Sequence, residues 1–317
     1  MISIVKVDSA QLEKEFVLFP FKLYKGCEYW VPPIISEELD SMNKVKNPVF
    51  KNAEAEFYLA KKNGITVGRI AAIVNWVEIE EQKKNKLRFG WYDTIDDVDV
   101  SKKLLEQVID FGKKRKLDFI DGPVGFSNMD KAGLLIEGYE ELNTMITWYH
   151  YPYQKKHLQQ LGFSKLAEWV EYKIKIFSAE EAPEKVKKFS KIIQQRYELE
   201  VVNFKSKKDI IPYVDKMFEL LNVTYSNLQT FVTIKQYQID FYKEKFIKYI
   251  HPDFIKCCVD KEGSLIAFLI TMPSFSRALK KINGKMGILS YFHLFKAQYF
   301  NDRVSLYLIG VDPKYQS

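Results

Sequence analysis

Two apolar runs with a short polar stretch between them form the clearest pattern in the chain. The first run spans residues 57 to 60, the second spans residues 65 to 74, and Asn63-Gly64 lies between them. Asn-Gly adopts the positive φ angles that a tight turn between antiparallel strands requires. The pattern therefore predicts a β-hairpin that turns at Asn63-Gly64.

The rest of the first half predicts alternating strands and helices. Apolar residues at helical spacing between Val100 and Lys116 indicate an amphipathic helix, and Gly162 is a typical residue to end a helix. The further predicted elements of this half are a strand at Leu87 to Tyr92, a strand and turn at Asp118 to Pro123, a helix around Tyr153 to Leu161, and an alternating strand at Ala167 to Ile176.

The second half repeats this order. A second hairpin is predicted with its turn at Glu262-Gly263, followed by a long insertion and a strand from Val304 to Val311. The elements predicted before it are a polar helix at Glu181 to Arg196, a strand at Glu198 to Phe204 and a helix that opens at Ser206. The same order of elements in both halves indicates an internal duplication. The charged stretch at residues 178 to 183 is the best boundary, which divides the chain into domains 1–177 and 178–317.

Composition fits this division into two folded domains. The chain has 317 residues, which suits two domains of about 150 residues each. The amino terminus does not have the pattern of a secretory leader, and the apolar runs are far shorter than a bilayer span. Cys27 and the adjacent pair Cys257-Cys258 have neither metal spacing nor a disulfide framework. We therefore expect a cytoplasmic protein with reduced thiols and no membrane association.

Charge and motifs exclude several classes of function. The net charge of +7 is spread over lysine runs that are typical of helix ends and solvated faces, so nucleic-acid binding is a minor interpretation. The four histidines lie in different segments without zinc spacing, and we expect no metal. The sequence also lacks the glycine patterns of phosphate loops and dinucleotide sites. A kinase, an NTPase or a dehydrogenase is therefore disfavoured.

The segment from Leu308 to Ser317 resembles the GNAT superfamily of acyl-CoA N-acyltransferases. It is similar to the end of that family's fourth strand and the start of its coenzyme loop, and the order of elements in both halves resembles the GNAT order. The resemblance implies an α/β (α+β) protein with two GNAT-like domains, each a mixed, largely antiparallel sheet flanked by helices. It also implies acetyl-CoA or another acyl-CoA as co-substrate. The residues implied to bind it are Leu308, Ile309, Gly310, Val311, Gln316 and Ser317.

Small residues matter in such a loop because successive backbone N–H groups must converge on a pyrophosphate. The sequence stops two residues before the first glycine that the family pattern places there, so the second domain is expected to be incomplete after its fourth strand. Gly310, within a strand of branched and aromatic residues, predicts a bulge or a close approach of another backbone.

The first half departs from the family pattern at two places. Four aspartates between Asp93 and Asp99 lie where the pyrophosphate would bind, and their charges would repel it. Leu158 stands where the family often has a tyrosine that acts as general acid, and leucine cannot donate a proton. We therefore expect the first domain to bind no acyl-CoA.

The resemblance also implies candidates for the substrate side of the second domain. Tyr225 and Asn227 lie in a loop that faces the acyl group in the family, although a turn role for Asn227 is as good an interpretation. The acceptor would be a small-molecule or peptide amine, attacking a thioester carbonyl polarised by a backbone N–H of the strand. The sequence assigns no general base or acid, and a homodimer stays open.

Three functions remain open from the sequence. The first is N-acetyl or other N-acyl transfer from acyl-CoA to an unknown amine. The second is a non-catalytic tandem GNAT-fold binding protein. The third is a peptidyl transferase that uses aminoacyl-tRNA, which the positive charge would suit.

Overall fold

The fold was determined as a computed structural model, which describes residues 1–178, 180–246 and 251–316. It is a mixed α/β protein with two sheets flanked by helices, which confirms the predicted fold class. The strands are β1 (Ile2–Lys6), β2 (Ala53–Lys62), β3 (Ile65–Asn75), β4 (Lys86–Thr94), β5 (Phe119–Asp121), β6 (Glu200–Val202), β7 (Ile255–Val259), β8 (Leu265–Pro273) and β9 (Val304–Val311). The α-helices are α1 (Ala10–Leu23), α2 (Ile35–Met42), α3 (Val98–Lys113), α4 (Pro152–Gln160), α5 (Glu184–Arg196), α6 (Lys207–Thr224), α7 (Gln236–Phe246), α8 (Ser276–Ile282) and α9 (Ile288–Tyr299).

The chain forms two compact units that are not simply its two halves. Unit 1 consists of Met1–Glu168, Gln229–Val232 and Ser274–Asn301, and unit 2 consists of Trp169–Leu228, Thr233–Pro273 and Asp302–Ser317. Two short segments from the second half of the sequence therefore belong to the first unit. The boundary near residue 177 stays a prediction.

The sheet of unit 1 has helices on both faces. Its order is β1-β2-β3-β4-β5, with antiparallel pairs except for the parallel pair β4-β5. Val100 and Leu104 of α3 are fully buried against one face, and Phe16 and Val17 of α1 are buried against the other. This explains the continuous apolar run in β3, because a central strand covered on both faces buries every side chain.

Two buried cations fix the later segment Gln229–Val232 within unit 1. The Arg88 guanidinium donates to both carboxylate oxygens of Glu78, at 2.6 and 2.7 Å, and to the Thr230 carbonyl at 2.9 Å. The Lys86 ammonium lies 2.7 Å from Asp121 and 3.0 Å from Glu78. All four charged side chains are buried, and two cations balance two anions, which is the condition under which such burial is tolerated.

The sheet of unit 2 repeats the first four strands of unit 1. Its order is β6-β7-β8-β9, with every pair antiparallel. Both hairpins turn where the sequence predicts, with Gly64 at φ +78° and Gly263 at φ +77°. In each unit a helix follows the first strand and runs before the hairpin, α1 in unit 1 and α6 in unit 2. The order of elements around each hairpin is thus the same in both units, as the sequence predicts.

The two sheets also share their irregularities. Val67 in β3 and Ile266 in β8 are each an extra residue next to the hairpin turn. A second extra residue lies in the next strand, at Trp91 or Tyr92 of β4 and at Tyr307 of β9. Bulges persist because they direct side chains and strand ends, so their recurrence supports duplication of one unit.

The predicted strand at Ala167 to Ile176 is wrong, because these residues have no regular secondary structure. Tyr172, Ile174 and Ile176 are 81%, 76% and 73% exposed. The period-2 alternation is present, but no strand in the described ranges pairs with this segment, and a strand requires a partner backbone. The strand predicted at Glu198 to Phe204 is shorter than expected, since only Glu200–Val202 pairs with β7.

Candidate functional site

The outer strand of the second sheet carries four of the predicted coenzyme-binding residues. Leu308, Ile309, Gly310 and Val311 form the last part of β9, which pairs with β8 on one side. On its other side, β9 has no strand partner within the described ranges. Backbone groups at such an edge are available to an extended ligand or a further strand.

Tyr225 is brought to this edge by the end of α6. It is the C-cap residue of that helix, and its backbone N–H donates to the Leu221 carbonyl at 2.9 Å. Helix α6 packs against β8 and β9, so its last turn lies beside the strand. The half-buried Tyr225 hydroxyl meets the backbone of Ile309, whose N–H stabilises the phenol oxygen. Two residues that the sequence separates by more than eighty positions thus meet at one point.

The chemistry of Tyr225 is that of a donor. Burial raises the pKa of its phenol above the ordinary value, while the Ile309 backbone interaction lowers it in part. The phenol therefore keeps its proton at neutral pH. Its O–H can therefore donate to a further group.

Gly310 faces an aromatic ring. A Cβ placed on it would lie 2.5 Å from Cε1 of Phe268, its partner on β8. The predicted bulge lies three residues earlier, at Tyr307. Gly310 is thus required by the packing of Phe268 across the strand pair, which corrects the expectation that it marks the bulge. The expected close approach of another backbone stays a prediction.

The residues after β9 form a tight turn. The Asp312 carboxylate accepts from the Lys314 N–H at 2.9 Å and begins a short 3₁₀ helix at Pro313–Tyr315. The Gln316 amide donates to the Val311 carbonyl at 2.7 Å, so it closes the turn on itself. Ser317 lies outside the described residues. The predicted role of Gln316 and Ser317 in coenzyme binding stays a prediction.

Asn227 does not join the cluster formed by Tyr225 and Ile309. It is exposed, three residues beyond the end of α6, in the turn that the Leu228 N–H closes on the Tyr225 carbonyl at 2.9 Å. The structure therefore brings Tyr225 to the strand edge and leaves Asn227 in a loop position.

In unit 1 the corresponding place is filled by a buried ion pair. Arg69 in β3 and Phe268 in β8 occupy equivalent positions, because each lies two residues after the extra residue of its hairpin. Their partners on the next strand are Asp93 and Gly310. Nε of Arg69 donates to Asp93 at 2.7 Å. Where unit 2 has an aromatic ring over glycine, unit 1 thus has two charged side chains that occupy the space.

The helix that follows β4 is capped by its own side chains. Asp97 accepts from the Asp99 N–H at 3.1 Å at the start of α3, and Asp96 lies 3.1 Å from Nε2 of His157. Asp96 and Asp97, two of the four aspartates predicted to block a coenzyme, therefore have structural partners here, and Asp93 has Arg69. Leu158 is 6% exposed and packs in the core under α3.

Sequence reasoning missed a tyrosine in unit 1 that corresponds to Tyr225. Tyr24 is the C-cap residue of α1, as Tyr225 is of α6, and its hydroxyl donates to Asp93 at 2.6 Å. Comparing the ends of the two corresponding helices would have found the pair. The signal is weak in the sequence because the residues around each tyrosine differ.

A small cavity lies in unit 1 and an open groove lies in unit 2. A cavity of about 20 Å³ beside Tyr24, Arg69 and Asp93 has room for about one water molecule. An open apolar groove of about 540 Å³ lies between α5 and the strands β6 and β7, with Phe189 and Ile193 on one side and Cys258 on the other. The groove is large enough for a ligand, but it includes neither β9 nor Tyr225.

The described part of the chain has no group of side chains arranged as metal ligands. No three His, Cys, Asp or Glu side chains there are grouped as ligands. His150 is buried, and its Nδ1 accepts from the Leu135 N–H at 3.2 Å, which identifies it as a neutral structural histidine.

Comparisons with known proteins give distant relatives. No protein-family model matches the chain. The chain is 25% identical over 277 residues to Protein YghO of Escherichia coli (strain K12), covering 86% of this chain and 68% of that protein. It is 25% identical over 174 residues to a bacterial ceramide synthase of Caulobacter vibrioides (strain NA1000 / CB15N), covering 54% of this chain and 45% of that protein. The chain thus spans about two thirds of the first relative and less than half of the second.

Among solved structures, the chain is similar to a tandem GNAT protein from the clavulanic acid biosynthesis pathway. The identity is 10% and the TM-score 0.41, with 86% of this chain and 74% of that protein covered. Within the described residues, no helix is both long and apolar enough to cross a bilayer.

Proposed function

We propose that the protein transfers an acyl group from acyl-CoA to the nitrogen of an amine, at the β9 edge of unit 2. The observation that carries the proposal is the meeting of the Tyr225 hydroxyl with the Ile309 backbone, at the edge of β9 that pairs with no strand among the described residues. The GNAT-like order of elements supports the same reaction. Acyl-CoA is the co-substrate, and the cytoplasm is the expected location.

The edge of β9 provides backbone groups along which an extended thioester substrate can lie as an added strand. The Tyr225 O–H, beside the Ile309 backbone, is a donor that would stabilise negative charge on a thioester oxygen during attack. Removing one such donor lowers kcat by about 100-fold to 1,000-fold in enzymes that use them. The high pKa of Tyr225 keeps it a donor at neutral pH, so it is not the base that deprotonates the amine.

The acceptor class follows from the relative named a bacterial ceramide synthase. A ceramide is an amide of a fatty acid and a long-chain amino alcohol, so a long-chain amine is the first acceptor to test. The open apolar groove between α5 and the strands β6 and β7 supports a substrate with an alkyl chain.

Turnover by the complete natural protein tests the reaction. Acetyl-CoA and palmitoyl-CoA are offered as donors with sphinganine or ethanolamine as acceptor, and the amide product is measured by mass spectrometry. We expect amide formation with sphinganine. No amide from any combination, under conditions where the protein is folded, would contradict acyl transfer.

A substitution at Tyr225 tests the site. Tyr225→Phe removes the donor and should lower kcat by about tenfold or more with little change in KM, because the hydroxyl acts mainly in the transition state. Tyr213→Phe, on the same helix, is the matched control and should leave kcat unchanged. Equal activity of both variants would place the site elsewhere.

A further inference from the structure

Helix α9, in unit 1, exposes a large apolar surface. Ile288, Phe292, Phe295 and Tyr299 follow one another at intervals of four, three and four residues, so they form one stripe along the helix. They are 91%, 63%, 55% and 53% exposed. A stripe of this kind normally faces a protein core, and here it faces outward.

The opposite face of α9 is less apolar than the stripe. Ser290 is 6% exposed, and its hydroxyl donates to the Lys285 carbonyl at 2.9 Å. His293, Leu294 and Ala297 are partly buried on the same side. The helix therefore presents a mixed face with one leucine to the protein, and its largest apolar side chains to the surroundings.

The preceding helix holds α9 in place. Ala278, Leu279 and Ile282 of α8 are buried, and the Gly284 carbonyl accepts from the Ile35 N–H at 2.9 Å. Gly284 has φ +77°, and a Cβ there would lie 2.5 Å from the ring of Phe21. Because α8 is docked in the ordinary way, the outward stripe of α9 is not a consequence of a loosely packed segment.

The segment that carries this helix has charged side chains of one sign. Between Ser274 and Asn301 the chain has no Asp or Glu, whereas it has five basic residues, Arg277, Lys280, Lys281, Lys285 and Lys296. Lys281, Lys285 and Lys296 are exposed. Exposed aromatic and aliphatic side chains flanked by lysines are the composition of helices that lie in the headgroup region of anionic bilayers.

We propose that α8 and α9 dock unit 1 onto the surface of an anionic lipid bilayer, with the Ile288 to Tyr299 stripe in the headgroup region. This is binding to one leaflet, and it revises the expectation from the sequence of no membrane association. The basic residues favour lipid over a second protein as the partner. They match anionic headgroups, whereas an apolar groove on a protein would not require basic residues around the helix. The proposal stands independently of the proposed function, although a long-chain amine would be found at such a surface.

Vesicle flotation tests the proposal with the full chain. We expect binding to vesicles of phosphatidylcholine mixed with phosphatidylglycerol, and weaker binding to phosphatidylcholine alone. Phe292→Gln combined with Phe295→Gln should lower the partition coefficient roughly tenfold or more, because two buried phenyl groups are lost. The matched control is Val45→Gln with Ile65→Gln, which removes two exposed apolar side chains elsewhere in unit 1 and should leave binding unchanged.

The basic residues are tested separately. Lys281→Gln with Lys285→Gln should weaken binding to the mixed vesicles by about fivefold for each lysine and reduce the preference for anionic lipid. Circular dichroism of each variant checks that the fold is intact. Absence of binding by the unaltered chain, or equal binding by the phenylalanine variant, would overturn the proposal. So would a dimer in lipid-free solution that the phenylalanine substitutions abolish, because the stripe would then be an interface between copies.

Discussion

Nε of Arg69 donates to the carboxylate of Asp93 at 2.7 Å, with both side chains buried in unit 1. The same carboxylate accepts from the Tyr24 hydroxyl, and Arg69 also donates to the Phe16 carbonyl at 3.0 Å. A buried charge with this many partners is held by the geometry of three elements, α1, β3 and β4. It also closes, in unit 1, the place that is lined by Phe268 and Gly310 in unit 2.

Asp93→Ala should lower the free energy of unfolding by about 3 to 5 kcal/mol, because it leaves the Arg69 guanidinium buried without its counter-ion. Urea unfolding measures the loss. Glu106→Ala is the control, since its ion pair with Lys103 is exposed and should contribute less than about 1 kcal/mol. An equal loss of unfolding free energy in both variants would show that the buried Arg69–Asp93 pair stabilises the protein no more than an exposed ion pair does.

Gly310→Ala should destabilise the protein by about 1 to 3 kcal/mol, because the new methyl group meets the Phe268 ring. Replacing that ring in the double variant with Phe268→Leu should recover part of the loss, and the coupling is read from a double-mutant cycle. Gly287→Ala, where nothing lies within 4 Å of the added Cβ, is the control. Additive effects at positions 310 and 268 would show that the ring is not the cause.

The free energy of unfolding should fall as the pH is lowered, because of His150. Burial lowers the pKa of this imidazole from 6.5 to about 4, so the unfolded chain takes up a proton at a pH where the folded protein does not. The stability contribution is complete above pH 6.5 and is lost as the pH falls toward about 4, a change of roughly 3 kcal/mol. The Tyr92 carbonyl and Asp93 oppose this shift, while Lys131 and Arg69 add to it.

Urea unfolding between these pH values measures the slope. His150→Gln should flatten it, whereas His251→Gln, at a half-exposed histidine, should not. The comparison uses the slope because the first variant is also expected to be less stable at every pH. An unchanged slope in His150→Gln would assign the acid sensitivity to other groups.

Each chain should bind no more than one acyl-CoA. Asp93 fills the corresponding place in unit 1, and Asp97 already occupies N–H groups at the start of α3. Titration calorimetry with the complete natural protein gives the stoichiometry. Two molecules per chain would contradict the expectation, and protection of residues 91 to 101 from hydrogen exchange would locate the second one.

The sequence predicted the hairpins well because local chemistry decides them. Asn63-Gly64 and Gly263 adopt the positive φ angles that their turns need, whatever packs around them. The capped start of α6 at Ser206 is local in the same way, since the Ser206 N–H donates to Asp209 at 2.8 Å.

Pairing across long separations could not be predicted in the same way. Alternation at Ala167 to Ile176 describes a chain that could become a strand, but a partner decides whether it does. Tyr225 was implicated through a resemblance, and its contact with Ile309 depends on how α6 packs against β9. The outward stripe of α9 has ordinary helical spacing, so the sequence alone gives no indication of which side faces the protein.

The chain passes between the two units five times, after residues 168, 228, 232, 273 and 301. Protein synthesis runs from the amino terminus, and unit 1 requires the Thr230 carbonyl for Arg88 and Gly284 for its packing against Phe21. Unit 1 can therefore finish folding on the ribosome only after Asn301 has emerged, when nearly all of unit 2 has been made as well. A gene fragment cut after residue 168 would leave Arg88 without one of its acceptors. The two halves of the sequence should therefore not fold as independent domains.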